Sequence, residues 1–169
     1  FKLGTQASLL LDLDDYIYDL AITANRPDGM SVVGIAREIS ALLETELTLP
    51  EVESKYKIDV FKNFVLCSEA ITKNCLYSVT QIDSVNSREL SPQWLRDRLD
   101  KSGIKSINFL VDITNYILLE QGQPLHAFDK DKLSKLIGRE VFPGDFSVRK
   151  ALRNENLLCL NGENYNLNE

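Results

Sequence analysis

"VDITNYILLEQGQPLHAFD", residues 111–129, runs from an apolar-faced segment into a proline loop and contains the chain's one histidine. Phe109, Leu110, Ile113, Tyr116, Ile117 and Leu119 recur with a helical period, so the spacing predicts a helix from about Asn108 to Gln121. Gly122 ends it in a left-handed cap, and Pro124 forces an extended exit because its ring disfavours helix for the residue before it. Thr114 and Asn115 interrupt the apolar run. Burying an amide without partners costs about 1–3 kcal/mol, so these two either bond the local backbone or line something. A core histidine belongs inside a periodic apolar stretch, whereas His126 sits just past its end. If the Gly122–Pro124 kink folds it back beside the helix, Thr114, Asn115 and His126 converge without a metal into a set that orients a water and shares its proton. The competing reading is that all three serve packing and capping. Asp112 and Glu120 flank the helix and read as surface charges or helix-end partners rather than an acid–base pair.

Working outward, Ser91-Pro92 predicts a second helix start, a hydroxyl cap followed by proline at the first helical position. Trp94, Leu95, Arg98 and Leu99 continue it, and Gly103 ends it. The segments "KIDVFKNFVLC" and "NCLYSVTQIDSV", residues 57–67 and 74–85, are strand-like. Acidic "ETELTLPEVESKYK" marks a domain boundary. Before it, Ser31 caps a helix over 31–44 whose apolar residues are Val32, Ile35, Ala36, Ile39, Leu42 and Leu43. Tyr16, Tyr18, Leu20 and Ile22 alternate as a strand would. After Phe128 the pattern predicts short strands and tight turns, ending in a hairpin about Asn161-Gly162. Strands and helices that do not alternate regularly predict an α+β fold.

The chain has 169 residues with a net charge of −6. That balance argues against a domain that wraps nucleic acid, since such binding neutralises phosphates with Lys and Arg, but not against touching one end of a nucleic acid. Acidic residues cluster at Asp12, Asp14, Asp15 and Asp19, and basic ones at Arg88, Arg96, Arg98, Lys101 and Lys105; both read as solvated faces. Cys67, Cys75 and Cys159 have no paired spacing, so with one histidine no zinc-type set assembles, and they read as small core residues. No apolar run approaches the roughly 20 residues of a membrane span. The first residue is Phe, and the reading expects a piece of a longer protein. No nucleophile elbow or phosphate loop is found.

Taken together, three ordered segments resemble the beta subunit family of bacterial-type phenylalanyl-tRNA synthetase: "ITANRPDGMSVVGIARE", "SPQWLRDRLDKSGIKSINFLVD" and "VDITNYILLEQGQPLHAFD". The resemblance covers about Asp15 to the end. It implies that residues 1–44 are the tail of a preceding small helical, B1-like domain. Residues 45–169 would be the first, larger part of the B3/B4 editing domain, which hydrolyses tyrosine wrongly attached to phenylalanine tRNA. An apolar synthetic pocket rejects an added hydroxyl only weakly, so a second site corrects the error.

Carried over by position, the resemblance implies Thr114, Asn115 and His126 as catalytic residues, and Gln123, Pro124 and Ala127 as walls of the substrate loop. Water attacks the aminoacyl ester with His126 and Asn115 holding it. Either His126 or the terminal ribose hydroxyl is the base. No cofactor is implied for editing; ATP and magnesium serve aminoacylation in the parent synthetase. The implied partners are the alpha subunit, in an alpha2beta2 heterotetramer, and the 3′ end of tRNA(Phe), with no membrane. The implied compartment is the cytoplasm, or the plastid stroma if the protein is plastid-encoded. Three departures stand out. The family's pocket also draws on a Gly-rich stretch beyond Glu169, Ala24 stands where proline is usual, and "REVFPGDFSVRK" is longer than the usual link. The missing stretch motivates an alternative, a non-catalytic structural and tRNA-docking module. A third reading is a free-standing protein with another ligand.

Overall fold

The computed structural model describes residues 2–11, 13–49 and 77–167, and the backbone of Phe64–Val65. The chain divides into two compact units, each built from separated stretches: residues 1–51 with 86–127, and 52–85 with 128–169. Helices and small antiparallel sheets make it α+β, as the pattern predicts.

The first unit contains a short helix α1 (Ala7–Leu10), then α2 (Val32–Leu43), α3 (Gln93–Lys101) and α4 (Phe109–Gln121). Helix α4 packs on both α2 and α3. Local chemistry sets the ends. The Ser31 hydroxyl accepts from the Gly34 amide at 3.0 Å and the Asn108 side chain from the Val111 amide at 3.1 Å, each satisfying a first-turn donor that has no helical partner. At the far end of α3 the Ile104 amide reaches the Leu99 carbonyl and the Gly103 amide that of Asp100, the paired bonds of a Schellman turn.

Two expectations for this unit are corrected. Residues 15–22 form no strand, and Tyr16, Tyr18 and Leu20 are exposed: alternation alone makes no strand where no neighbouring edge takes up its backbone groups. Pro92, not Ser91, is the N-cap of α3, because the Ser91 hydroxyl is drawn to Asp112. Helix α2 buries Val33 and Gly34, while Val32, Ile39, Leu42 and Leu43 point outward. The reason is contact: α2 packs against the 3-10 turn Pro27–Gly29 as well as α4.

Gly122 closes α4 with φ +73°, and a Cβ there would lie 3.3 Å from Ser31 Cβ. The left-handed φ favours glycine, and the approach is one that the Ser31 side chain would have to yield to by a few tenths of an ångström. Gly122→Ala is expected to cost about 1–2 kcal/mol from the left-handed backbone, plus the contact with Ser31. Gly103, at φ +75°, has nothing within 4 Å of such a Cβ. Urea unfolding of Gly103→Ala therefore isolates the backbone cost, and a loss no larger in Gly122→Ala would rule out the Ser31 contact.

In the second unit, β1 (Phe64–Val65) pairs antiparallel with β2 (Tyr77–Ser78), with Phe64 opposite Ser78. The paired residues fall within the two expected strands. Residues 79–85 carry no strand, and the rest of 57–67 and 74–76 lies outside the described residues. An unexpected helix, α5 (Lys130–Ile137), follows Phe128. Asp129 caps it by accepting from the Lys132 amide at 3.0 Å. Its lysines and exposed Leu136 mask the apolar period that would have marked it.

The hairpin β3 (Glu155–Leu158) and β4 (Asn164–Leu167) forms as expected, but not with a two-residue turn. The Cys159 amide bonds the Glu163 carbonyl and the Gly162 amide that of Cys159, giving a three-residue loop with Gly162 in the left-handed region at φ +82°. Two arginine forks pin neighbouring turns, Arg139 on Asp145 (2.8 and 2.5 Å) and Arg149 on Glu155 (2.8 and 2.7 Å). These hydrogen bonds come first among the causes that hold each carboxyl down at about 2. Among the described residues only Val33, Leu95, Leu99 and Val141 are buried apolar side chains.

Candidate functional site

The six residues singled out from sequence lie in the first unit, on α4 and on the loop that leaves it. Thr114 and Asn115 are half-buried, adjacent on α4 and about 100° apart around its axis. Thr114 donates its hydroxyl proton to the Val111 carbonyl at 2.7 Å, so the oxygen's acceptor lone pairs are what it offers outward. Gln123, Pro124, His126 and Ala127 are all exposed on the loop after Gly122. The structure thus sorts the six into a helix pair and a loop group joined through the left-handed cap.

Their separation is compatible with chain geometry. Asn115 lies about 9 Å along the axis from Gln121 at 1.5 Å per residue. The four Cα steps from Gly122 to His126 span up to about 14 Å when extended. The loop is long enough to bring the imidazole back alongside the helix.

Asp112 is the residue that the sequence reading placed wrongly. It is fully buried, at 0% exposure, rather than a surface charge. Its carboxylate accepts from Ser91 Oγ at 2.5 Å, Ser106 Oγ at 2.5 Å and the Ile107 amide at 2.8 Å. Burial pushes its pKa up, but these hydroxyls and the Ile107 and Asn108 amides outweigh that and hold it below the usual value of 3.8. One carboxylate therefore ties the approach to α3 and the entry of α4 to the first turns of the helix bearing Thr114 and Asn115. An acid in a helix's first turn ordinarily reads as a dipole partner, which hides this role. The available signal was an acid in an apolar run, with serines at 91 and 106 upstream of it.

Glu120 accepts from the Tyr116 hydroxyl at 2.8 Å one turn away, as a helix-surface partner. That bond, ahead of burial, raises the phenol's pKa. Lys101 binds Asp15 at 2.8 Å, so the acidic and basic clusters meet in space.

The second unit holds a groove of about 460 Å³ lined by Tyr77, Phe128, Phe146, Val148, Arg149 and Leu167, among others. None of the six candidate residues lines it. Its Arg149 is committed to Glu155, so the wall is largely apolar. Among the described residues no group of three or more His, Cys, Asp or Glu could hold a metal ion, and no helix is long and apolar enough to cross a membrane.

A family model described as "B3/4 domain" matches residues 73–169. The chain is 77% identical over 168 residues to a phenylalanine–tRNA ligase beta subunit of Prochlorococcus marinus subsp. pastoris, covering 99% of this chain and 20% of that protein. A protein of the same description from Prochlorococcus marinus (strain MIT 9312) is 68% identical over 168 residues, covering 99% and 21%. One from Parasynechococcus marenigrum is 44% identical over 165 residues, covering 98% and 20%. The chain thus spans about one fifth of the length of the curated relatives it matches.

Proposed function

This chain belongs to the B3/4 domain family, and on that premise we propose that it is the editing segment of a phenylalanine–tRNA ligase beta subunit, hydrolysing tyrosine mischarged onto tRNA(Phe). The observation that carries the reading is the arrangement about Gly122: Thr114 and Asn115 on α4, His126 on the loop, inside a segment 77% identical to such a subunit. Residues 1–44 would be the tail of a small helical domain and 45–169 the first part of the editing domain. The parent would pair with an alpha subunit, bind the tRNA 3′ end and use ATP and magnesium for aminoacylation, in the cytoplasm or plastid stroma.

In this reading a water, held by the Asn115 amide and the His126 imidazole, attacks the carbonyl carbon of the aminoacyl ester. One of its protons is relayed through His126, or through the vicinal ribose hydroxyl, to the ribose oxygen that leaves as the ester C–O bond breaks, releasing the free amino acid. The oxyanion is met by backbone amides, because the Thr114 proton is engaged with Val111. Thr114 thus serves as an acceptor, aligning the water or the substrate rather than stabilising the developing charge.

His126→Ala and Asn115→Ala are each expected to slow release of tyrosine from tyrosyl-tRNA(Phe) by roughly 100-fold or more, the usual scale of a positioned proton-transfer group. Phenylalanyl-tRNA(Phe) should be spared by the unsubstituted chain. Undiminished tyrosine release by the double variant would exclude this catalytic assignment. The alternative, a non-catalytic tRNA-docking module, is favoured by the inward commitment of Thr114. It predicts no hydrolysis of either aminoacyl ester, with binding of the tRNA retained.

A further inference from the structure

We propose that the outer face of α3, formed by Trp94 and Arg98, is a stacking platform for an unpaired base of a single-stranded RNA end. It rests on the reading that this segment handles a tRNA. Trp94 is 57% exposed, although tryptophan is highly buried on average. The indole is nevertheless braced, with its ring 5.4 Å from that of Tyr116 at 85°, and the Tyr116 hydroxyl is anchored to Glu120. Arg98 is exposed and follows one helical turn later, on the same face. Among the described residues its guanidinium makes no ion pair; the neighbouring carboxylate Asp15 is bound by Lys101 instead.

An exposed, braced indole beside a guanidinium that makes no ion pair among the described residues offers a π-face for a base and a cation for its phosphate. An apolar protein partner would use the indole and gain nothing from the cation, so charge complementarity favours nucleic acid. The contact is local, which suits a chain whose net charge of −6 forbids wrapping an RNA. It also adjoins the candidate site, since Tyr116, which braces Trp94, directly follows Asn115 on α4.

Trp94 is the chain's only tryptophan, so its emission reports on this face alone. The test titrates the chain with a short unstructured oligoribonucleotide ending in CCA, and separately with polyphosphate. RNA should quench the emission saturably and polyphosphate should not. By anisotropy of labelled RNA, Trp94→Phe should keep most of the affinity, Trp94→Leu should lose roughly 5- to 100-fold, and Arg98→Gln should bind more weakly with a shallower salt dependence. Circular dichroism checks that each variant is folded. Three outcomes would overturn the platform: equal quenching by polyphosphate, unchanged affinity in Trp94→Leu, or no quenching while the emission shifts to the blue as the chain is concentrated, which marks a covering protein surface. Quenching without tyrosyl-tRNA hydrolysis would sink the hydrolytic reading and leave the platform standing. Hydrolysis without quenching would do the reverse.

Discussion

Asp112→Ala is expected to destabilise the first unit by about 3–5 kcal/mol, a large share of the roughly 5–15 kcal/mol that holds an ordinary domain. The substitution removes the acceptor of the buried Ser91 hydroxyl and of the part-buried Ser106 hydroxyl and Ile107 amide, and leaves a hole where a side chain with 0% exposure had been. Each buried donor left unsatisfied costs about 1–3 kcal/mol, and the total falls short of the sum because water enters the space. Asp112→Asn keeps the volume and one accepting oxygen, so about 1–3 kcal/mol is expected there.

The same carboxylate gives a pH signature. Its folded pKa lies below the usual 3.8, so its contribution is complete above that value and is lost as pH falls through the folded pKa. Asp145 and Glu155, each held at about 2, act in the same direction. Urea unfolding between pH 7 and pH 2 should show stability falling from about pH 4 downward. The slope should be shallower in Asp112→Asn, with the part due to the arginine forks retained. An equal slope in both proteins would mean that Asp112 does not carry this dependence.

Gly34→Ala should be the second largest loss, about 2–4 kcal/mol, beyond the usual range for overpacking because backbone is in the way. A Cβ at this position would lie 1.8 Å from the Asp28 carbonyl oxygen and 2.9 Å from its carbonyl carbon. Relief requires the 3-10 turn Pro27–Gly29 to move off α2. Alanine elsewhere in an exposed helix gains about 1 kcal/mol over glycine, so the two effects oppose, and the clash is the larger. Because the obstructing atoms are main-chain, a second substitution of the Asp28 side chain should not rescue the variant. Thermal unfolding monitored by helix ellipticity decides the matter. A raised Tm in Gly34→Ala would refute the close packing of turn on helix.

The elements that sequence and structure share are those closed by neighbours in the chain. Ser31, Asn108, Gly103 and Gly122 end their helices where expected because capping and left-handed turns are settled within about five residues. The hairpin follows for the same reason, although its loop is one residue longer than the Asn-Gly pair suggested. The candidate residues were legible as an ordered motif. Composition and period alone could say only that Thr114 and Asn115 either bond locally or line a site, and Thr114 bonds locally.

What only the tertiary structure decided is which side of each element faces inward. Helix α2 carries enough apolar residues for more than one buried face, and packing on Pro27–Gly29 and α4 selects Val33 and Gly34. Residues 15–22 have the alternation of a strand and form none, because a strand exists only through hydrogen bonds to another. Ser91 looks like a cap until a carboxylate 21 positions along claims its hydroxyl. Local sequence thus determined where the helices end, since those hydrogen bonds close within a turn. Burial and the partners of Asp112 depend on residues far along the chain, and only the assembled fold brings those together.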